Sequence, residues 1–196
     1  MLTQLSTIKA RLAIDDFSVE FDSLLTNAIR AISARFDKET NRTFARTVDA
    51  TEEFPTGQTE LIVPCYPIES VSKFETKANE TDGWVEQADV EFLVRRNCII
   101  SLESPLSTLN STISTCRVTY TGGYVLPGTT SGLGQTALPD DLEQAAVEQV
   151  AFWFRNRDKL GLLRSWPHQG TFEAFAPLDL LLNVKAVLDR HARFGL

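Results

Sequence analysis

Reactive side chains are scarce in this 196-residue sequence. The two histidines, His168 and His191, stand alone, which leaves no histidine-based metal site. The three cysteines, Cys65, Cys98 and Cys116, are odd in number, widely spaced and set among β-branched residues. They form neither a C-x-x-C pair nor a disulfide framework, and they read as reduced, buried thiols. No H-E-x-x-H segment and no G-x-S-x-G elbow occurs, so no serine is singled out as a nucleophile. The glycines of Ser131–Thr136 (SGLGQT) lack the spacing and the lysine of a phosphate-binding loop, and supply backbone freedom instead. Asp15-Asp16 and Asp140-Asp141 are adjacent carboxylates of the kind used for acid–base or Mg²⁺ chemistry. Both pairs fall at expected helix boundaries, where capping accounts for them. The expectation is no cofactor, no metal and no enzymatic activity.

Two further shortages narrow the class. No run of eighteen apolar residues exists, so no membrane-spanning helix is expected, and the N-terminal MLTQLSTIKARLAI lacks the layout of a secretion signal. Basic charge is also in deficit: 19 Lys and Arg face 26 Asp and Glu, a net charge of −7. A surface built to grip phosphates is disfavoured by that balance. Apolar content of 43% and charged content of 23% suit one globular domain, or one with an appendage.

What is present is patterned. Leu138–Leu160 reads as a long helix, opened by Pro139 and the acidic pair and closed by Lys159 and Gly161. At 100° per residue its apolar side chains cover most of its girth, leaving only Gln144, Glu148, Arg155 and Lys159 as a polar stripe. Such a rod needs cover on several sides, either from the chain's own core or from a neighbouring copy. A second helix is expected from Ser18 to about Thr40, with Phe21, Leu24, Leu25, Ala28, Ile29, Ile32 and Phe36 on one face. A short helix precedes it. From Thr43 to Tyr120 the period changes to that of strands: Thr47–Phe54, Glu60–Val63, Ile68–Thr76, Glu91–Val94, Cys98–Leu102 and Thr115–Thr121. Arg95-Arg96-Asn97 reads as a hairpin loop, Ser104–Ser114 as a long loop or arm, and Gly122–Ala137 as a flexible connection. A last amphipathic helix, Pro177–Ala192, follows an irregular stretch carrying Trp166, Phe172 and Phe175. It either folds back on the core or docks on a partner.

The fold class is therefore α+β: a helical bundle of the N-terminal helices, the long central helix and the C-terminal helix, with an antiparallel β-rich middle. The expected division is a core over residues 1–161 (helices 6–13, 18–41 and 140–160, β segment 43–124) and a C-terminal linker and docking helix over 162–196.

The order of parts carries a resemblance. A helix LLTNAIRAISARFDKETNRTF (Leu24–Phe44) precedes CYPIESV (Cys65–Val71) and VTYTGGY (Val118–Tyr124). LPDDLEQAAVEQVAFWFRNRDKLG (Leu138–Gly161) and LDLLLNVKAVLDRHARFG (Leu178–Gly195) follow. The chain resembles the head–tail connector, or adaptor, family of tailed bacteriophages, whose members end a β segment in a Tyr-x-x-Gly-Tyr-like turn and continue into a P-x-D/E-L-x-x-A helix. Here those positions are Tyr120, Gly123, Tyr124, Pro139, Asp141, Leu142, Ala145 and Arg155–Asp158.

The resemblance implies a virion protein of the neck, assembled in the host bacterial cytoplasm. Copies would form a homo-oligomeric ring, twelvefold in the virion, beneath the portal protein. The ring would extend the DNA channel, pass duplex DNA without specific binding, and offer a platform for a stopper or tail-completion protein; no membrane is involved. Phe21, Leu25, Ile32, Phe152, Trp153 and Phe154 are the expected subunit-interface residues. The expected portal-docking residues are Trp166, Phe172, Phe175, Leu180, Leu181, Val184, Val187, Leu188, Arg190 and Arg193. The rival readings are a stopper or tail-completion protein of the same neck, and a nucleic-acid-handling packaging protein.

Overall fold

The computed structural model describes residues 1–79, 81, 83–106, 115–158 and 179–193. The chain is mixed α+β and divides into two compact units, one from residues 1–41 and 138–196, the other from 42–137.

The first unit is helical. α1 (Leu5–Leu12) closes with Ala13 in the left-handed region, its N–H and that of Ile14 returning to the last turn. α2 (Asp22–Thr40) ends the same way at Asn41, one of the few residues other than glycine that tolerates this conformation. α2 begins four residues later than its sequence pattern suggests, because residues 15–21 are held as a turn. Its buried stripe is Leu25, Ile29, Ile32 and Phe36, spaced to share one face.

α3 (Asp140–Arg155) packs against α1, α2 and α4 (Leu182–His191). Leu142, Ala146 and Val150 are buried on one side of it, and Ala145, Val147 and Ala151 on others, so most of its apolar girth is covered inside its own unit. The helix stops at Arg155, short of Leu160. Asn156 turns its side-chain amide back to the Phe152 carbonyl at 2.8 Å, and its backbone N–H bonds the same oxygen. Neither acidic residue caps the start: Pro139 is the N-cap, and Asp140, Asp141 and Glu143 instead place negative charge in the first turn, where the helix dipole favours it. α4 is shorter than expected and seats Val184 and Leu188 against its own unit.

The second unit is a pair of sheets over a shared core. One sheet has the order β1 (Thr47–Pro55), β7 (Thr115–Gly122), β3 (Ile68–Lys77), β4 (Val85–Glu86), all antiparallel. The other has the order β2 (Glu60–Ile62), β6 (Ile99–Leu102), β5 (Phe92–Arg95), also antiparallel. Phe54, Leu61, Val63, Phe74, Ile100, Val118 and Tyr120 fill the space they share. The alternation along β7 puts Cys116, Val118 and Tyr120 inside, as its sequence pattern requires. β5 and β6 are joined through Arg96 and Asn97, both with positive φ, and the Cys98 N–H bonds the Arg95 carbonyl at 3.1 Å. The expected flexible connection carries a small parallel pair, β8 (Tyr124–Val125) with β9 (Thr136–Ala137).

Candidate assembly surfaces and family

The turn before α2 is fixed by a buried cation. Lys9 projects from α1 and is 3% exposed, yet its Nζ donates to the carbonyls of Asp16 (3.1 Å) and Ser18 (2.8 Å) and lies 2.6 Å from the Asp22 carboxylate. A buried ammonium is tolerable only when it is bonded and its charge is paired, and here two carbonyls accept from it while the Asp22 carboxylate balances the charge. The Asp15 carboxylate accepts the Phe17 N–H at 2.9 Å, closing an Asx turn. The outcome is a set backbone carrying Phe17 and Val19 at 94% and 75% exposure. Sequence reasoning missed both, because it took Ser18 as the first residue of a helix.

The expected subunit-interface residues separate into two groups. Phe21 and Phe154 meet edge to face, and the Arg157 guanidinium lies 4.6 Å from the Phe154 ring and 5.5 Å from that of Phe21. Phe152 and Trp153 are likewise half-buried, and the indole Nε1 of Trp153 finds no acceptor among the described residues. Leu25 and Ile32 are instead fully buried within the subunit.

The expected docking residues are also divided. Leu180, Val184 and Leu188 are buried in the helical unit. The seat is polar as well as apolar: Gln149, itself fully buried, accepts the Leu181 N–H at 2.9 Å, and the Arg193 N–H bonds the Thr40 carbonyl at 2.9 Å. Arg35 pairs with Asp179 at 2.8 Å, and His191 with Asp141 at 2.9 Å. Burial works against ionisation of Asp141, but bonds and charge from His191, with the Leu142 N–H and Arg190, hold its carboxyl below the ordinary range. The side chains of the buried stripe are spent inside the subunit. Leu181 and Val187 are half-buried, Arg190 is exposed, and Leu182 is 85% exposed. Trp166, Phe172 and Phe175 lie outside the described residues.

In the sheet unit, the VTYTGGY stretch is a packing device. A Cβ at Gly122 would lie 2.5 Å from the Cys65 carbonyl oxygen, and one at Gly123, where φ is +99°, would lie 2.7 Å from that of Ala45. The Tyr120 hydroxyl accepts the Cys65 N–H at 3.2 Å, and the Cys65 thiol donates to the Gly122 carbonyl at 3.1 Å. Nearby, Arg42 stacks on Tyr66, 3.4 Å from the ring centroid, and donates to the Tyr66 carbonyl at 2.7 Å. These contacts consume the polar groups of the motif in holding the strand end.

Among the described residues, no group of three or more His, Cys, Asp or Glu is placed to hold a metal ion, and no helix is long and apolar enough to cross a membrane. What stands out is surface: a set turn bearing aromatic and β-branched tips, and an exposed sheet edge.

Residues 4–160 match the family model described as head completion protein. The chain belongs to the head completion protein family. That match runs through both units and stops before α4, so the family's shared part is α1 to α3 with the sheets between them. No curated protein matches the sequence. The fold is shared with solved structures, among them three from gene transfer agent particles. A chain in the neck of an empty gene transfer agent particle, computed with C6 symmetry, is 16% identical with a TM-score of 0.58, over 97% of this chain and 89% of that one. A chain in the native particle's neck, computed with C12 symmetry, is 16% identical with a TM-score of 0.55, over 96% and 89%. One in the native virion is 17% identical with a TM-score of 0.57, over 97% and 89%. At these identities the likeness is one of fold.

Proposed function

We propose that this member of the head completion protein family is a structural subunit of the neck of a phage-like particle, between head and tail. The observation that carries the reading is the family match along residues 4–160, and the fold shared with chains from necks computed with sixfold and twelvefold symmetry supports it. Copies close into a ring, twelvefold in the virion, stacked under the portal as an adaptor and offering its far side to a stopper or tail-completion protein. The subunit catalyses no reaction, and the polar groups described above, Lys9, Asp22, Arg42 and Gln149, serve to hold turns and packing.

Duplex DNA passes through the ring unbound. A net charge of −7 suits a conduit wall, since a wall that trapped phosphates would oppose transit. The portal-facing part is assigned to the exposed side of α4, where Leu182 and Arg190 remain available.

The test is to mix the purified chain with its matching portal and to weigh the complex by native mass measurement, with negative-stain images of the same sample. The expected result is a second ring stacked on the portal. Absence of any complex overturns the adaptor reading, and a tight, salt-sensitive complex with duplex DNA overturns the passive channel.

A further inference from the structure

We propose that the α1–α2 turn of one copy docks on the β5–β6 hairpin of the next, with Phe17 entering the cleft beside β5; this rests on the ring reading above. The turn is prepared for such a role. Lys9 fixes its carbonyls and the Asp15 Asx turn fixes its bend, while Phe17 and Val19 are left pointing into water. A loop already ordered in the free protein avoids most of the ordering cost at the binding step. An aromatic tip on such a loop is the usual form of an interface anchor.

The receiving surface is equally unusual for a free subunit. All four residues of β5 are exposed, with Leu93 at 67% and Val94 at 41%. β5 is the edge of its sheet, and its first three residues, Phe92 to Val94, carry neither charge nor proline to discourage pairing. An open cleft of about 370 Å³ lies against it, lined by Phe92, Leu93, Arg95, Ser101 and Leu102, with Glu91 and Glu103 at its acidic end.

Charge selects a second copy as the occupant. The turn flanks its apolar tips with Asp15, Asp16 and Glu20, and the hairpin ends in Arg95 and Arg96. Glu91 and Glu103 repel the turn's carboxylates from the other end, which sets its direction in the cleft. The two surfaces differ, so their union is heterologous, the kind of contact whose repetition makes a ring when the rotation between copies closes.

The test uses two full-length variants, Val19→Cys and Leu93→Cys, which keep Phe17 in place; the native cysteines are buried. On mild oxidation of the mixture, the mixed disulfide should form at least roughly tenfold faster than either same-variant disulfide, because docking raises the local thiol concentration. Adding Phe17→Ala or Asp16→Lys to the Val19→Cys chain should remove that advantage. Adding Arg96→Glu to the Leu93→Cys chain should restore it for Asp16→Lys, a rescue that misfolding would not give. A mixed disulfide no faster than the same-variant ones overturns the contact. A stacked ring on the portal without selective cross-linking sinks the contact and leaves the ring; selective cross-linking without a closed ring does the reverse.

Discussion

The rings of Phe21 and Phe154 meet with centroids 5.2 Å apart and planes 79° apart, tying the start of α2 to the end of α3. Edge-to-face pairs place the positive rim of one ring against the negative face of the other. Arg157 adds a cation over the Phe154 ring. A double-mutant cycle with Phe21→Leu and Phe154→Leu, read by denaturant unfolding of the isolated chain, should give a coupling of about 1 kcal/mol. A coupling indistinguishable from zero would mean that the ring-to-ring contact adds nothing to stability beyond the burial of each ring.

Glu75 supplies the clearest dependence on pH. It is 5% exposed on β3, 2.8 Å from the Lys73 ammonium and 2.6 Å from Arg117. The bond from Lys73 outweighs burial and, with Arg117, holds the carboxyl below its ordinary value of 4.5. A carboxyl lowered by folding stabilises the native state fully above its unfolded pKa, and the contribution is lost as pH falls through the folded one. At neutral pH Glu75→Gln should therefore cost about 2 kcal/mol, less than the roughly 3–5 of a fully buried pair because both cations touch solvent. Thermal melts from pH 7 down to 3 should show the gap between variant and wild type closing below about pH 4.5. A gap that stays constant with pH would place the charge of Glu75 outside the stability of the fold.

Gly122 and Gly57 make a matched pair for the Tyr-x-x-Gly-Tyr segment. Gly57 has a φ of +92° but open space around it, so Gly57→Ala should lose only about 1 kcal/mol from backbone strain. Gly122 has an ordinary φ and two backbone carbonyls within 3 Å of any Cβ, so Gly122→Ala must move β3's approach or β7 itself. Its cost should exceed about 3 kcal/mol, in the range of severe overpacking. Equal melting losses for the two variants would contradict the close approach.

Periodicity made α2, the start of α3 and the six longer strands legible, because each buries one face and alternates or repeats accordingly. It failed where a single side chain overrides the pattern. The helical reading runs on through Arg155–Lys159 to Leu160, yet Asn156 bonds back to Phe152 and the helix stops at Arg155. The amphipathic stripe begins near Ser18, yet Lys9, nine residues earlier, pins that carbonyl in a turn. Leu24 lies beside the buried stripe in projection but is 46% exposed, on the flank that a neighbouring helix does not reach. The β8–β9 pair is two residues per strand with a glycine-rich loop between, below the length at which a pattern exists. Surface anchors were the hardest to see: Phe17 and Leu93 are ordinary apolar letters in sequence, and only exposure distinguishes them from core.

The same limit decides how the C-terminal helix should be tested. Removing residues 178–196 looks harmless from sequence, since an appendage is expected to leave a folded core. In the structure that cut would strip Leu180, Val184 and Leu188 from α2 and α3 and leave Gln149 buried without its backbone partner. Point changes separate packing from docking more cleanly. Leu188→Ala should lower stability by about 2–4 kcal/mol through lost burial and the cavity it leaves. Leu182→Ser, at 85% exposure, should change melting by no more than about 0.5 kcal/mol. If α4 also meets the portal, Leu182→Ser should still weaken the stacked complex measured by native mass, while leaving the subunit as stable as before. A Leu182→Ser protein that binds the portal like wild type would confine α4 to its role inside the subunit.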